Sequence, residues 1–463
     1  MMSEKTRTSL VRDLQRLLEG EVTEEPEVLE RYSQDFGRTV RRMPAALARP
    51  RDAEEVARIV RYAHARDLPV ASRAMGHSMR GQSLCEGGIV IDMRALRGLE
   101  EISPDARTFV SQPGVLWREV VAASTAHGLT PPVLTSYPHA SVGGTLSACG
   151  WGTASVRYGA QLDHCVELEV VIGTGEHLRC NREQEPELFD HVRGGMGQFG
   201  LMTKIRYQLR RYHSTVRTYV LEYDDLGAWL EDSRTLVVRD EADHLDCALQ
   251  QKPDGQGVRW TGVITASLER EAPEDRDGQR LLAGLRFARH ISTQDVPTAA
   301  FVSQASNPEK PPLPGEAYPW MVTFMPWSRV QPFLELCIRR IPPAALGSAN
   351  GPMRLWPAFR RVTQVPMLQM PREEIMAMLS ICPATTQEGL PIMMSVMSKL
   401  SDVGMEVGAR RHLGTWVHFD RARWRMHFGE AWPTINRLKR TYDPKGILNP
   451  GFIDFEPESA LAS

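Results

Sequence analysis

The sequence predicts an α+β protein of two domains, with the end of the chain returning to the first of them. Three observations carry this. At 463 residues the chain is longer than one hydrophobic core usually serves. Its first part alternates short helix and strand patterns punctuated by glycine-rich bends. Beyond about Arg211 the texture changes to alternating strands and proline-rich loops, and the final residues revert to short glycine-punctuated motifs. The expected division is therefore 1–211, an inserted α+β domain over 212–425, and a returning segment over 426–463.

In order along the chain, Leu10, Leu14, Leu17 and Leu18 mark a first helix. In "RDAEEVARIVRYAHARDLPV", Asp52 and Glu55 have the spacing of a capping box, and Val56, Ile59, Val60 and Ala63 share one face. That helix must end before Leu68-Pro69, because proline disfavours helical geometry in the residue before it. "PVASRA" then reads as a strand entering the bend "RAMGHSMRGQS" (Arg73–Ser83), and "GGIVIDM" (Gly87–Met93) as a second strand. Residues 160–182 read as two strands joined at "GTGE" (Gly173–Glu176), a hairpin turn. "PELFDHV" is helical and "GLMTKIRYQLRR" a strand. Beyond 211 come the turn "KPDGQG", the strand "VRWTGVITASLE" and the loop "NPEKPPLPGEAYPW".

Composition excludes several classes. The chain is 42% hydrophobic and 24% charged, with a net charge of −2 and no long run of one sign. Neither nucleic acid nor an anionic membrane is expected as its main partner. "MMSEKTRTSL" is too polar for a secretion leader, and no stretch approaches a transmembrane helix. The 7 cysteines are odd in number, scattered, and never paired as C-x-x-C. A disulfide framework or a metal site is not expected, and a cytoplasmic location fits. Twelve of the 20 methionines lie between Met321 and Met426. As flexible gap-fillers they suit either plain core or the wall of an adaptable apolar pocket.

Residues "GGMGQFG" contain G-x-G-x-x-G at Gly195, Gly197 and Gly200. A Rossmann site needs a strand before the glycines and a helix after, whereas here the helix comes first and the strand second. A different reading joins three stretches: "ASRAMGHSMRGQS", "SVGGTLSACGWGTASVRYG" (Ser141–Gly159) and "GGMGQFG". Glycine bends present successive backbone N–H groups that bind anions. With the hydroxyls of Ser78, Ser141, Thr145 and Ser147, they could hold a large dianionic pyrophosphate cofactor.

These stretches resemble the FAD-binding domain of the vanillyl-alcohol oxidase / p-cresol methylhydroxylase family, most closely its cytokinin dehydrogenase-like members. The resemblance rests on "GHS…GQ", "VGGTLS…G…RYG.Q…ELEVV.GTGE", "LF…GGMGQFG..T" and "YDPKGILNPG", and covers Arg49 to Leu209 with Arg437 to Gly451. It implies a two-part FAD-binding domain around an inserted substrate domain. It implies cofactor contacts from Ser72, Arg73, Ala74, Met75, Gly76, His77, Ser78, Gly81 and Gln82. From the second stretch it implies Ser136, Ser141, Gly143, Gly144, Ser147, Gly150 and Trp151, and further along Gly197, Gly200, Leu201 and Asn449. His77 falls where the family bonds a ring nitrogen covalently to the flavin. Some relatives add a second bond from a cysteine before V-G-G, where this chain has Tyr137; attachment through one histidine is therefore expected.

Cytokinin dehydrogenases carry before V-G-G an aspartate that takes a proton from the substrate amine. That position is Ser136 here, and no acid lies between Val133 and Ser147. A serine alone is no such base. Tyr137 and His139, on the same loop, are the candidate acid–base residues. The run "GARRHLGTWVHFDRARWRMHF" offers Arg410, Arg411, His412, His418 and Arg425, either as a carboxylate-binding cluster or as a solvated basic face. The expected function is FAD-dependent oxidation of a small, largely apolar metabolite in secondary metabolism, with oxygen or another acceptor taking the electrons. Oxidative decarboxylation stands as a variant. Cytokinin dehydrogenase-like amine oxidation and a non-catalytic flavin-binding protein are the alternatives.

Overall fold

A computed structural model describes residues 4–253, 257–271, 278–303, 312–346, 353–363 and 365–457. Residues 254–256 of the turn "KPDGQG" and 307–311 of the proline-rich loop lie outside them. The first sheet runs Glu21–Thr23, Ala46–Arg49, Ile89–Asp92, Val70–Arg73 across its width, and its last two pairings are parallel. Helix Ala53–His64 connects Ala46–Arg49 to Val70–Arg73, and half of the expected capping box forms: Asp52 accepts from the Glu55 amide at 2.9 Å, while the Glu55 carboxylate accepts from the Arg51 amide at 2.8 Å. Val56, Ile59, Val60 and Ala63 are fully buried in the core of this sheet, with Leu10, Leu14 and Leu18 of the first helix. Leu17, one residue off that face, is 38% exposed.

The second sheet has the order Leu99–Ser103, Thr108–Ser111, Leu201–Gln208, Cys165–Val171, His177–Asn181 and is antiparallel throughout. Its last pair closes over Gly173–Glu176, with the Ile172 amide donating to the Glu176 carbonyl at 3.0 Å. Helix Pro186–Val192 and strand Leu201–Gln208 flank "GGMGQFG", so the order opposite to a Rossmann site stands.

The third sheet has eight strands between Thr215 and Arg411, in the order Arg289–Pro297, Thr215–Tyr223, Val258–Arg270, His244–Pro253, Met353–Phe359, Ile375–Ile381, Met321–Pro326, Arg410–Arg411. Side chains alternate between its faces. Val322, Phe324, Trp356, Ala358, Met376 and Met378 join the core shared with the second sheet. Met321, Met325, Met353, Leu355, Ala377 and Leu379 pack in another core, with helices Trp327–Arg340 and Leu390–Glu406. Because both faces are covered there, the strands Met321–Pro326 and Ile375–Ile381 are almost continuously apolar, whereas the edge strand Arg289–Pro297 is polar and mostly exposed.

The chain then returns. Leu448 pairs in parallel with Val70; the Val70 amide donates to the Ile447 carbonyl (2.8 Å) and the Asn449 amide to the Val70 carbonyl (2.7 Å). The buried Lys439 ammonium, on helix Trp432–Tyr442, donates to the carbonyls of Gln198 and Leu448 (both 2.9 Å) and to Asp443 (2.8 Å). It thus ties "GGMGQFG" to "YDPKGILNPG". Cys85, Cys165 and Cys180 are buried thiols, and burial pushes all three up to about 12. Among the described residues no cluster could hold a metal ion, and no helix is long and apolar enough to cross a membrane.

Candidate active site

The three glycine stretches converge on one cleft. The first contributes Ser72, Ala74, Met75, Gly76, His77, Ser78 and Gln82, and the second Ser136, Tyr137, Ser141, Gly143, Gly144, Ser147, Gly150 and Trp151. Gly197, Gly200 and Leu201 come from the third. The far wall belongs to the eight-stranded sheet and the turn after its edge strand: Trp320, Val322, Trp356, Met378, His412, Gly414 and Thr415. Sequence reasoning missed that wall, apart from His412, which it placed in a different role.

Local geometry explains the glycines. Gly76 has φ +68°, in the left-handed region where a side chain is disfavoured, and the bend places the half-buried His77 on the cleft. Gly197, at φ +72°, faces Ser72 closely: a Cβ there would touch the serine hydroxyl at 3.5 Å and intrude on the cleft. The His77 ring lies between Phe36, with centroids 4.1 Å apart, and Tyr137 at 4.9 Å, with Trp320 edge-on at 6.4 Å.

Four expected residues do not reach the cleft wall. Arg73 turns back, its guanidinium donating to the Gln34 carbonyl at 3.0 Å. Gly81, at φ +74°, shapes the bend behind His77. Asn449 braces the third glycine stretch from outside, its side-chain amide donating to the Met196 carbonyl. His139 sits behind Tyr137, ring centroids 5.7 Å apart, so of the two acid–base candidates only Tyr137 borders the cleft.

The basic run is dispersed by the fold. Arg411 is buried and donates to the carbonyls of Val322 (3.1 Å) and Trp416 (2.5 Å); burial pushes it down to about 9. Arg425 pairs with Glu456 at 2.6 Å, and His418 meets Arg80 at 2.8 Å on the surface. Only His412 borders the cleft. Its Nε2 donates to the Cys149 carbonyl at 2.9 Å, and burial, with Arg411 adding to it, pushes the imidazole down to about 4. Among the described residues no Asp, Glu, Lys or Arg lines the cleft. The methionines of 321–426 likewise fill the core for the most part, and Met378 alone of them borders it.

Gln82, 4% exposed, joins the two halves. Its amide nitrogen donates to the carbonyls of Leu413 (2.7 Å) and Thr415 (2.9 Å), while its oxygen accepts from the Arg80 amide (2.7 Å). The bend carrying His77 and the turn carrying His412 are therefore one hydrogen-bonded unit. Hydroxyls of Ser72, Ser78, Ser141 and Ser147 with glycine bends form an uncharged donor set that suits a pyrophosphate. The aromatic end around His77 suits a flat ring system.

Comparison with known proteins agrees with this geometry. A family model described as FAD binding domain matches residues 44–181. Another, described as Cytokinin dehydrogenase 1, FAD and cytokinin binding, matches 262–455, which takes in much of the inserted domain, where the sequence offered no motif, as well as "YDPKGILNPG". An uncharacterized oxidoreductase, ORF5 in the fasciation locus of Rhodococcoides fascians, is 30% identical over 90% of this chain and 95% of its own. Cytokinin dehydrogenase 6 of Oryza sativa subsp. japonica is 30% identical over 91% of this chain and 89% of its own. Among solved structures, 6-hydroxy-D-nicotine oxidase from Arthrobacter nicotinovorans superposes with a TM-score of 0.74 over 95% of this chain and 98% of that one. At 19% identity that likeness shows the fold alone.

Proposed function

The chain belongs to the family of FAD-dependent oxidoreductases that includes the cytokinin dehydrogenases, and from that premise we propose that it oxidises a small, neutral, largely apolar metabolite using FAD attached through His77 alone. The observation that carries this reading is the cleft's composition: aromatic and aliphatic on the substrate-domain side, without a charged side chain among the described residues. A charged substrate would enter unpaired, at a cost of several kcal/mol. For the same reason a carboxylate-bearing substrate, and with it oxidative decarboxylation, finds no cation on the wall among the described residues.

Bound FAD supplies a two-electron acceptor that takes the substrate hydride. The glycine bends and the hydroxyls of Ser72, Ser78, Ser141 and Ser147 would hold its pyrophosphate, with His77 at the ring end. Trp320, Val322, Trp356 and Met378 exclude water from the reacting region, and Gln82 keeps the two walls in register. Ser136 offers no proton acceptor equal to a carboxylate, so isoprenoid adenine cytokinins should be poor substrates. A division at 211/212 and 425/426 and a cytoplasmic location complete the reading, supported by the change of texture and by scattered cysteines never spaced as C-x-x-C.

A second reading, cytokinin dehydrogenase-like amine oxidation, is favoured by the match of 262–455 to a cytokinin-binding description. Anaerobic mixing decides between them. Neutral apolar alcohols and aromatic amines should bleach the flavin band, whereas an isoprenoid adenine should leave it unchanged over the same time. Rapid bleaching by the adenine would replace the first reading with the second.

A further inference from the structure

His412 follows the edge strand Arg410–Arg411, and its ring is held from several sides. Its backbone amide donates to the Val322 carbonyl at 3.1 Å, and its carbonyl accepts from the Thr415 hydroxyl at 2.9 Å. A Cβ on Gly414 would stand 2.9 Å from its Cε1, so the ring lies directly against the turn. The contact with the Cys149 carbonyl settles the tautomer, because a carbonyl can only accept. Nε2 carries the hydrogen, and Nδ1 carries a bare lone pair.

That lone pair is sheltered from water and has no partner among the described residues. The imidazole stays neutral through the physiological range because burial depresses its protonation. Trp151 and Trp356, 6% and 7% exposed, border the same cleft. Their indole N–H groups also lack partners among the described residues. A buried polar group left unpaired in this way is unfavourable, and a ligand that satisfies it gains affinity.

Resting on the reading that this cleft holds flavin and substrate, we propose that His412 Nδ1 accepts a hydrogen bond from an N–H or O–H of the substrate and so positions it, in a cleft where position 136 has no carboxylate. The ligand class that fits is a neutral, planar molecule with one donor aimed at His412. Charged amines and carboxylates do not fit, since no charged side chain among the described residues lines the wall to pair with them.

The test is equilibrium binding by calorimetry to the FAD-loaded protein, using indole and 1-methylindole, in which a methyl group replaces the N–H hydrogen; the His412 variants separate the loss of the donor from the added bulk. The wild type should prefer indole about 5-fold or more, the worth of one hydrogen bond. His412→Gln can still reach Cys149 but leaves nothing at the Nδ1 position, and should lose the preference. His412→Asn puts a carbonyl oxygen near that position and should keep most of it. Equal affinities for the two probes in the wild type, or binding of neither, would overturn the proposal. So would a preference that survives in His412→Gln. Binding is read without turnover, so a failed bleaching experiment leaves this result standing, and the reverse holds too.

Discussion

His77 and Tyr137 lie ring against ring, centroids 4.9 Å apart and planes 29° from parallel, while Phe36 packs against the histidine at 4.1 Å. Two aromatic neighbours leave the imidazole little freedom to turn, a preorganisation that suits a residue meant to meet a bound ring at one carbon. Wild-type protein precipitated with acid should keep its yellow colour in the pellet. His77→Ala should release all its flavin to the supernatant, and Tyr137→Ala should lower the bound fraction. Colour wholly in the wild-type supernatant would remove the covalent bond from the reading.

Attachment should be single. Cys149 is 1% exposed, and burial pushes its thiol well above the usual range, which denies it thiolate character. Proteolysis and mass spectrometry should find flavin on the peptide containing His77 and on no cysteine peptide.

Gln82→Leu should strand the carbonyls of Leu413 and Thr415, both on buried residues, without a donor. The expected cost is about 2–3 kcal/mol, seen as a lower denaturation midpoint and faster proteolysis near residues 412–416. An unchanged midpoint would mean that the two walls hold together without this clamp.

Stability should fall on mild acidification. Burial lowers the proton affinity of His164, His191, His412 and His427 in the folded protein, while unfolded histidine binds protons near 6.5. Below about 6.5 the unfolded chain therefore takes up more protons, so stability is full above that value and declines towards about 4. Melting temperature measured from pH 7 to 5 should drop steadily. His427→Gln should flatten the slope, and a flat wild-type profile would contradict the argument.

Ser136→Asp places a carboxylate in the cleft. It should raise the rate of flavin bleaching by an isoprenoid adenine by about 10²-fold or more, the usual worth of a positioned base. No gain would show that position 136 does not reach the substrate nitrogen.

The glycine stretches were legible because their function is local: each bend needs particular residues at fixed spacing, whatever the rest of the chain does. The opposite wall was not legible. Trp356, Met378 and Phe324 come side by side only through strand pairing, and no residue spacing along the chain records that. The alternation that usually separates a cleft face from a solvent face is also absent, since this sheet has a core on both sides. His412 was masked in another way. Read in sequence it belonged to a basic run, but in the fold its neighbour Arg411 is spent on backbone carbonyls. Likewise the methionines clustered in sequence are divided by the fold between the cores on the two faces of the sheet, and Met378 is the one of them that borders the cleft.

The pairing of Val70 with Leu448 has a kinetic consequence. It closes a loop that contains nearly the whole chain, and such distant contacts form slowly because so much conformational freedom must be surrendered first. The strand leading into the His77 bend therefore stays unfinished on one side until the eight-stranded sheet has folded and the last helix has docked. Cofactor capture becomes a late event in the protein's maturation. Cells short of riboflavin should accumulate a nearly complete apoprotein, able to take up FAD when it is restored, rather than an unfolded chain.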